Sequence, residues 1–276
     1  MLIKKAKSYG FCFGVKRAVE IAEESKNAVT LGPLIHNPLE IERLSKNYNV
    51  KFVNDIDEIN DNIKRVIVRT HGIPKDKLDE LKNKNVEVID ATCPFVKKPQ
   101  EIVEQMSKEG YDIVIFGDIN HPEIKGVMSY SVHERVFVVL NKEELENIKL
   151  REKIATVAQT TRKIQEYLDI VNFLIQNHKE VRVFNTICNA TFENQDAVRE
   201  LSREADIMII VGGKNSSNTK QLYNIASENC ESYLVESEEE IRPEWFKGKK
   251  LCGISAGAST PEWLVEKIIS KIKDVT

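Results

Sequence analysis

Short apolar runs and longer amphipathic segments alternate along the whole chain. Runs rich in Val and Ile occupy 112–116 and 207–211, and amphipathic segments such as 164–176 separate runs of this kind. Continuous apolar runs are typical of parallel strands covered on both faces, and the segments between them predict right-handed helical crossovers. The pattern therefore predicts an α/β fold with parallel-rich sheets.

The alternation repeats three times, and each copy can be counted from a cysteine. Cys12, Cys93 and Cys188 are each followed by a helical pattern, an apolar run ending in glycine, and a polar loop. The interval from Cys93 to His121 is 28 residues, and so is the interval from Cys188 to Ser216. Self-similarity of this kind indicates a repeated structural element.

A second interval also recurs. Cys93 to Thr160 spans 67 residues, as does Cys188 to Ser255, which predicts that Thr160 and Ser255 lie in equivalent loops. The three copies predict domains at 13–92, 93–187 and 188–276, and we expect residues 1–12 to complete the third as an extra strand. The alternative is a single doubly wound sheet in which these spacings are accidental.

In open parallel sheets, ligands bind at the carboxyl ends of the strands. The cysteines and polar loops of all three copies follow apolar runs directly. We therefore expect three similar small α/β units in a pseudo-three-fold arrangement, with their cysteines facing one central cavity.

Charge and composition exclude several classes of partner. The 276 residues include 40 Lys+Arg and 43 Asp+Glu, a net charge of −3, which gives no electrostatic footprint for nucleic acid or anionic lipid. No apolar run approaches the roughly 18 residues that a membrane span needs. Five cysteines, an odd number, without a secretory signal argue against a disulfide framework and predict a cytoplasmic protein.

The three repeated cysteines have a different setting from the other two. Cys252 lies inside an apolar run and Cys230 ends a helical pattern, so both are interpreted as structural. Cys12, Cys93 and Cys188 lie at strand ends before helices, where the helix dipole favours the thiolate that binds metals. A site of three thiolates suits an iron–sulfur cluster or zinc.

The polar loops indicate an anionic ligand. Residues 212–219 and 255–261 are rich in glycine and hydroxyl side chains, which suits either an anion site or an ordinary capped turn. His36, His71 and His121 also follow apolar runs, and together they could bind a diphosphate. Glu123 is either an acid of a first helical turn or, if buried in a dry cavity, a proton donor with a raised pKa.

With these residues assembled, the chain resembles the 4-hydroxy-3-methylbut-2-enyl diphosphate reductase family of the non-mevalonate isoprenoid pathway over nearly its whole length. The resemblance rests on nine segments in order: Gly10-Phe11-Cys12-Phe13-Gly14-Val15, Gly32-Pro33-Leu34-Ile35-His36-Asn37, Arg69-Thr70-His71-Gly72, Asp90-Ala91-Thr92-Cys93-Pro94, Gly117 with His121-Pro122-Glu123, Gln159-Thr160-Thr161, Asn185-Thr186-Ile187-Cys188, 214–218, and Ala256-Gly257-Ala258-Ser259. It implies three similar α/β units around a central iron–sulfur cluster.

The resemblance also implies roles for particular residues. Cys12, Cys93 and Cys188 would hold one [4Fe–4S] cluster per chain, leaving one iron without a cysteine ligand. Thr160 would orient the substrate hydroxyl and Glu123 would donate protons. The diphosphate would be bound by a set of neutral side chains, with His121 beside them: His36, His71, Ser216, Ser217, Asn218 and Ser259.

The implied reaction uses two electrons and two protons to expel water from the allylic diphosphate, giving isopentenyl and dimethylallyl diphosphates. The family resemblance further implies reduced ferredoxin or flavodoxin as the electron donor. Two other functions stay open. One is a zinc hydrolase with Glu123 as general base; the other is a non-catalytic iron–sulfur sensor or anion-binding module in which Glu123 and Thr160 are dispensable.

Overall fold

Three sheets, each of four parallel strands, form the framework of the chain. The structure is a computed structural model that describes residues 1–35 and 37–276, with the backbone but not the side chain of Ser217. The strands within the described residues are β1 (Leu2–Lys5), β2 (Val29–Leu31), β3 (Lys51–Val53), β4 (Arg65–Val68), β5 (Glu87–Asp90), β6 (Asp112–Phe116), β7 (Val136–Val139), β8 (Lys153–Ala158), β9 (Glu180–Val183), β10 (Ile207–Val211), β11 (Glu231–Val235) and β12 (Leu251–Ala256).

Helices connect the strands in every copy. Within the described residues they are α1 (Phe13–Glu24), α2 (Pro38–Tyr48), α3 (Lys75–Asn83), α4 (Pro94–Lys108), α5 (Pro122–Met128), α6 (Lys142–Glu146), α7 (Ile164–Asn177), α8 (Asn189–Ser202), α9 (Ser217–Ser227) and α10 (Glu262–Val275). Short 3₁₀ turns at Ile56–Glu58, Glu238–Glu240 and Pro243–Phe246 complete the connections. No helix in the described ranges is long and apolar enough to cross a membrane.

The three sheets share one strand order. Written from the same edge, they are β5-β4-β2-β3, β9-β8-β6-β7 and β1-β12-β10-β11, and all the pairings are parallel. The first strand of each list leads into Cys93, Cys188 or Cys12 respectively. The prediction of an α/β protein built from three similar sheets is therefore confirmed.

Strand β10 shows why these apolar runs form central strands. Ile207, Ile209 and Val211 pack on the side of α10, whereas Met208 and Ile210 pack with residues of α8 and α9. Successive side chains of a strand point to opposite faces, so a strand covered on both faces must be apolar at every position. The unbroken apolar run in the sequence is the direct result.

The chain divides into two compact regions. Region 1 comprises Met1–Glu23, Ile35–Asn49 and Asn189–Thr276, and region 2 comprises Glu24–Leu34 and Val50–Cys188. In region 1, β1 pairs in parallel with β12, matching Leu2 with Leu251, so the N-terminal strand belongs to the sheet of the third copy. The finer division at 13–92, 93–187 and 188–276 stays a prediction.

The structure separates a meaningful sequence interval from an accidental one. His121 and Ser216 are the N-caps of α5 and α9, so the shared interval of 28 residues reflects true equivalence. The shared interval of 67 residues, from Cys93 to Thr160 and from Cys188 to Ser255, does not reflect structural equivalence. Thr160 lies two residues beyond the end of β8, whereas Ser255 lies inside β12 and is fully buried. The residue two positions beyond β12 is Ala258, and the predicted equivalence of Thr160 and Ser255 is wrong.

Gly253 offers a test of packing in the sheet of region 1. A Cβ atom at this position would clash with Met208 and lie 3.0 Å from the Leu201 side chain, both of which are buried. Because overpacking of a filled core typically costs about 1–3 kcal/mol, we expect Gly253→Ala to lower the free energy of unfolding by about that amount. Urea denaturation measures the change.

Gly126→Ala is the matched control, since the nearest atom to a Cβ there would be 3.5 Å away. Gly126 lies within α5, where alanine is intrinsically favoured over glycine. A Gly253→Ala protein as stable as the Gly126→Ala protein would contradict the packing described for β12.

Candidate functional site

Each of the three repeated cysteines lies at the start of a helix. Cys12 and Cys188 immediately precede α1 and α8, and Cys93 is the N-cap residue of α4. All three are reduced and partly exposed. The sequence between an edge strand and the following helix thus places every one of these thiols at the carboxyl end of a sheet, as predicted.

One backbone hydrogen bond recurs at these cysteines. In each copy the cysteine N–H donates to the carbonyl of the residue two positions beyond the neighbouring strand, β12, β4 or β8. This bond continues the strand pairing past the end of the sheet, so it fixes where the cysteine backbone leaves it. The pairs are Cys12 with Ala258 (3.2 Å), Cys93 with Thr70 (2.9 Å) and Cys188 with Thr160 (2.8 Å).

The cysteines are divided between the two regions, Cys12 in region 1 and Cys93 and Cys188 in region 2. Neither region by itself, over its described residues, places three His, Cys, Asp or Glu side chains together as a metal site. The interpretation of the three thiols as one ligand set therefore rests on their equivalent backbone positions. That ligand set stays a prediction.

Cys230 and Cys252 differ from the repeated cysteines. Cys252 is fully buried in β12, and burial raises the pKa of its thiol to about 12. Burial also raises the pKa of the Cys230 thiol. Both thiols are therefore protonated at neutral pH, and the interpretation of Cys252 as a core residue is confirmed.

Glu123 and Thr160 form a buried pair in region 2. One carboxylate oxygen of Glu123 accepts the Thr160 N–H at 2.7 Å, and the other accepts the Thr160 hydroxyl at 2.7 Å. Glu123 is 1% exposed, and burial raises its pKa although both Thr160 hydrogen bonds oppose the shift. Glu123 thus lies in a first helical turn and is also buried, and the cause of its raised pKa is the loss of water around the carboxylate; its role as a proton donor stays a prediction.

Two of the predicted diphosphate ligands lie beside this pair. His121 caps α5, and its Nδ1 accepts the Glu123 N–H at 3.2 Å, so a neutral His121 carries its proton on Nε2. The His71 and His121 rings are nearly perpendicular, with centroids 5.7 Å apart. The structure thus brings His71, His121, Glu123 and Thr160 together, while His36 lies outside the described residues.

Region 1 brings together the other predicted anion-binding loops. Ser216 is the N-cap of α9 and its hydroxyl accepts the Thr219 N–H at 3.3 Å. Ser259 lies in the turn after β12. The two loops approach closely because Gly257 has no side chain: a Cβ there would clash with the Thr219 hydroxyl. The side chain of Ser217 is outside the described atoms.

Asn218 has a feature that points to a ligand. Both polar atoms of its side-chain amide are buried without a hydrogen-bond partner among the described residues. A buried polar group without a partner is costly, and this one lies in the first turn of α9, where the helix dipole favours an anion. Asn218 is therefore well suited to bind one.

The lysine of this loop is already engaged. The Lys214 ammonium lies 2.5 Å from a carboxylate oxygen of Glu240, and this ion pair raises the lysine pKa. The backbone N–H of Lys214 donates to a carboxylate oxygen of Glu236 at 2.7 Å. Hydroxyl and amide groups, rather than this cation, are thus the available anion ligands of the 212–218 loop.

Two threonines with site contacts escaped the sequence-based reasoning. The Thr186 hydroxyl exchanges two hydrogen bonds with the backbone of Ala158, at 2.6 and 2.9 Å, which holds the segment that leads to Cys188. Thr70 occupies the position after β4 that Thr160 occupies after β8. Alignment of strand ends, rather than of cysteine intervals, would have identified Thr70.

Three parallel sheets with equivalent thiols at their carboxyl ends, together with a buried carboxyl–threonine pair, define an α/β protein with an enzyme-like site. The chain matches the model of the LytB protein family over residues 3–273. It belongs to the LytB family.

Several relatives match over their full or nearly full length. A 4-hydroxy-3-methylbut-2-enyl diphosphate reductase from Nautilia profundicola is 82% identical over 275 residues, covering 100% of both chains. A solved (E)-4-hydroxy-3-methyl-but-2-enyl diphosphate reductase, described as the terminal enzyme of the non-mevalonate pathway, has 44% identity and a TM-score of 0.79, covering 99% of this chain and 100% of its own. The solved E-1-hydroxy-2-methyl-but-2-enyl-4-diphosphate reductase from Plasmodium falciparum has 28% identity and a TM-score of 0.86, covering 98% of this chain and 87% of its own.

The raised pKa of Glu123 makes stability depend on pH in a defined direction. The folded protein binds this proton more tightly than the unfolded chain, where the pKa is near 4.5, so the group destabilises the fold as pH rises through the folded pKa. We expect the melting temperature of Glu123→Gln, relative to the unsubstituted protein, to increase from pH 4 towards neutrality and then level off.

Glu104→Gln is a control of opposite sign. Lys108 and Lys75 lower the pKa of Glu104 to about 2, so this carboxylate stabilises the fold above its unfolded pKa. The relative melting temperature of Glu104→Gln should fall as pH rises from about 2 to the unfolded pKa of 4.5, and should stay level at higher pH. Parallel pH curves for Glu123→Gln and the unsubstituted protein would contradict a raised pKa at Glu123.

Proposed function

We propose that the chain catalyses the reductive dehydroxylation of (E)-4-hydroxy-3-methylbut-2-enyl diphosphate to isopentenyl and dimethylallyl diphosphates. The observation that carries this function is the buried Glu123–Thr160 pair, joined through the Thr160 carbonyl to the backbone of Cys188. A proton donor and a predicted metal ligand are thus separated by a single residue. Full-length similarity to reductases of this name supports the same reaction.

The chemistry of the cysteines fits an iron–sulfur cluster. We assign Cys12, Cys93 and Cys188 as ligands of one [4Fe–4S] cluster per chain, because all three are reduced thiols with the same backbone anchoring. When bound, such a cluster supplies electrons and one iron that has no cysteine ligand. The chain's own part is to hold the three thiols at equivalent strand ends.

The diphosphate end of the substrate is assigned to neutral groups. His71 and His121 in region 2, and Ser216, Ser217, Asn218 and Ser259 in region 1, are the proposed ligands together with His36. The unpartnered Asn218 amide and the N-terminus of α9 support this assignment. Binding energy at the diphosphate holds the allylic hydroxyl in place for reaction, which lowers the entropic part of the barrier.

Glu123 and Thr160 are assigned to proton transfer. A raised pKa keeps the Glu123 carboxyl protonated at a higher pH than an exposed glutamate, so it can donate. When Glu123 is protonated, its O–H can donate to Thr160 Oγ1, which frees the threonine hydroxyl to donate onward to the substrate oxygen. Glu123 then regains its proton from solvent.

The reaction balances with two electrons and two protons. The C–O bond of the allylic alcohol breaks, one proton leaves with the oxygen as water, and the second proton joins the carbon skeleton with the electron pair. We propose that a small reduced carrier protein, ferredoxin or flavodoxin, supplies the electrons in a cytoplasmic setting. The net charge of −3 gives no reason to invoke nucleic acid.

Cluster assembly tests the ligand assignment. Anaerobically purified protein should be brown, with about four iron and four acid-labile sulfide per chain. We expect Cys93→Ser to lower the iron content and change the visible spectrum, whereas Cys230→Ser, a change at a cysteine outside the ligand set, should retain both. A colourless protein with stoichiometric zinc after attempted reconstitution would favour the hydrolase instead.

Turnover with a chemical reductant tests the proton donor. General acid catalysis typically contributes about 10²–10⁴-fold, so Glu123→Gln should lower kcat by at least about 10²-fold while iron content is kept. Glu152→Gln is the control, because this exposed glutamate precedes β8 at the strand end opposite Thr160. Near-normal turnover by Glu123→Gln would remove Glu123 from the mechanism.

A further inference from the structure

We propose that Thr70 is a positioning residue that sets the His71 turn for diphosphate binding, an inference that rests on the proposed function. Thr70 lies between β4 and His71 and is 4% exposed. Its hydroxyl donates to the Leu34 carbonyl at 2.5 Å, and its N–H points to the same oxygen at 3.4 Å. Its own carbonyl accepts the Cys93 N–H at 2.9 Å.

The same arrangement recurs at Thr160. Both threonines lie two residues beyond the third strand of their copy, and both accept a cysteine N–H at the carbonyl. Both also direct their N–H and hydroxyl to one partner, a carboxylate for Thr160 and a backbone carbonyl for Thr70. In the third copy the position is Ala258, which has no hydroxyl. The first two copies therefore share a clamp that differs only in what it holds.

The Thr70 clamp joins three segments of the site. Leu34 lies two residues before His36 in the sequence, His71 follows Thr70 directly, and Cys93 is held by the Thr70 carbonyl. The turn at 69–72 is closed internally by the Gly72 N–H, which donates to the Arg69 carbonyl at 2.9 Å. Because this internal bond makes the turn rigid, the hydrogen bonds from Thr70 to its surroundings help to set the position of His71.

The hydroxyl is the stronger part of this tie. The Thr70 N–H is 3.4 Å from the Leu34 oxygen, near the limit of a useful hydrogen bond, whereas the hydroxyl is 0.9 Å closer. Loss of the hydroxyl would remove the shorter of these two bonds to the buried Leu34 carbonyl. The turn would then keep its bond to the Cys93 N–H but lose its short bond to the segment that leads to His36, and we expect His71 to shift relative to that segment.

The experiment compares Thr70→Val and Thr70→Ser in cluster-loaded protein, with inorganic pyrophosphate as a competitive probe of diphosphate binding. Valine keeps the shape but removes the hydroxyl, and serine keeps the hydroxyl. Since one hydrogen bond is worth about 0.5–1.5 kcal/mol, Thr70→Val should raise KM and the pyrophosphate inhibition constant by about threefold to tenfold. kcat and its pH profile should change by less than about twofold, and Thr70→Ser should restore both constants.

A merely structural threonine would give a different result. Lower stability with unchanged KM and unchanged pyrophosphate inhibition would overturn the proposal, as would a loss confined to kcat. If Thr70→Val does not fold, Thr70→Ala against Thr70→Ser differs in the hydroxyl alone and gives the same comparison. The proposed function is tested separately by the turnover and the iron content of the unsubstituted protein, because neither measurement depends on a Thr70 variant.

Discussion

The hydrogen bond from the N–H of each repeated cysteine to a carbonyl just beyond the neighbouring strand is the constraint on which the site depends. It extends parallel pairing by one step past each sheet, and it occurs at Cys12, Cys93 and Cys188 alike. The thiol's position is therefore inherited from the rigid sheet rather than from a flexible loop. Rigid elements hold reactive groups more accurately than loops do, so a repeated sheet edge places three thiols at equivalent backbone positions.

Burial and charge are arranged in opposite ways at the two functional ends. Around Glu123, removal of water raises the carboxyl pKa, and the two hydrogen bonds from Thr160 oppose this shift. At the 212–218 loop, the ammonium of Lys214 is paired with Glu240, and the buried amide of Asn218 has no hydrogen-bond partner among the described residues.

Periodicity was enough to predict the sheets, because fully covered parallel strands leave unbroken apolar runs such as 207–211. The strand-end positions of the cysteines followed from the same reasoning, whereas the burial of Glu123, on which its raised pKa depends, could not be decided from the sequence. The alignment of the loops did not follow from periodicity. Cys188 to Ser255 matches Cys93 to Thr160 in length, yet the extra residues before β12 make Ala258, and not Ser255, the residue equivalent to Thr160. Insertions shift a residue count without shifting a strand end, and Thr70 was missed because its partner is a backbone carbonyl that no sequence motif reveals.

The pairing of β1 with β12 has a consequence for how the chain is made. Leu2 is synthesised long before its partner Leu251, so β1 must wait without its neighbour until β12 has been made. Long-range parallel pairing is slow because the entropy of closing the loop is lost before contacts repay it. Cys12, which follows β1, is consequently the last of the three repeated cysteines to gain its backbone anchor, because its partner Ala258 comes later in the chain than Thr70 and Thr160.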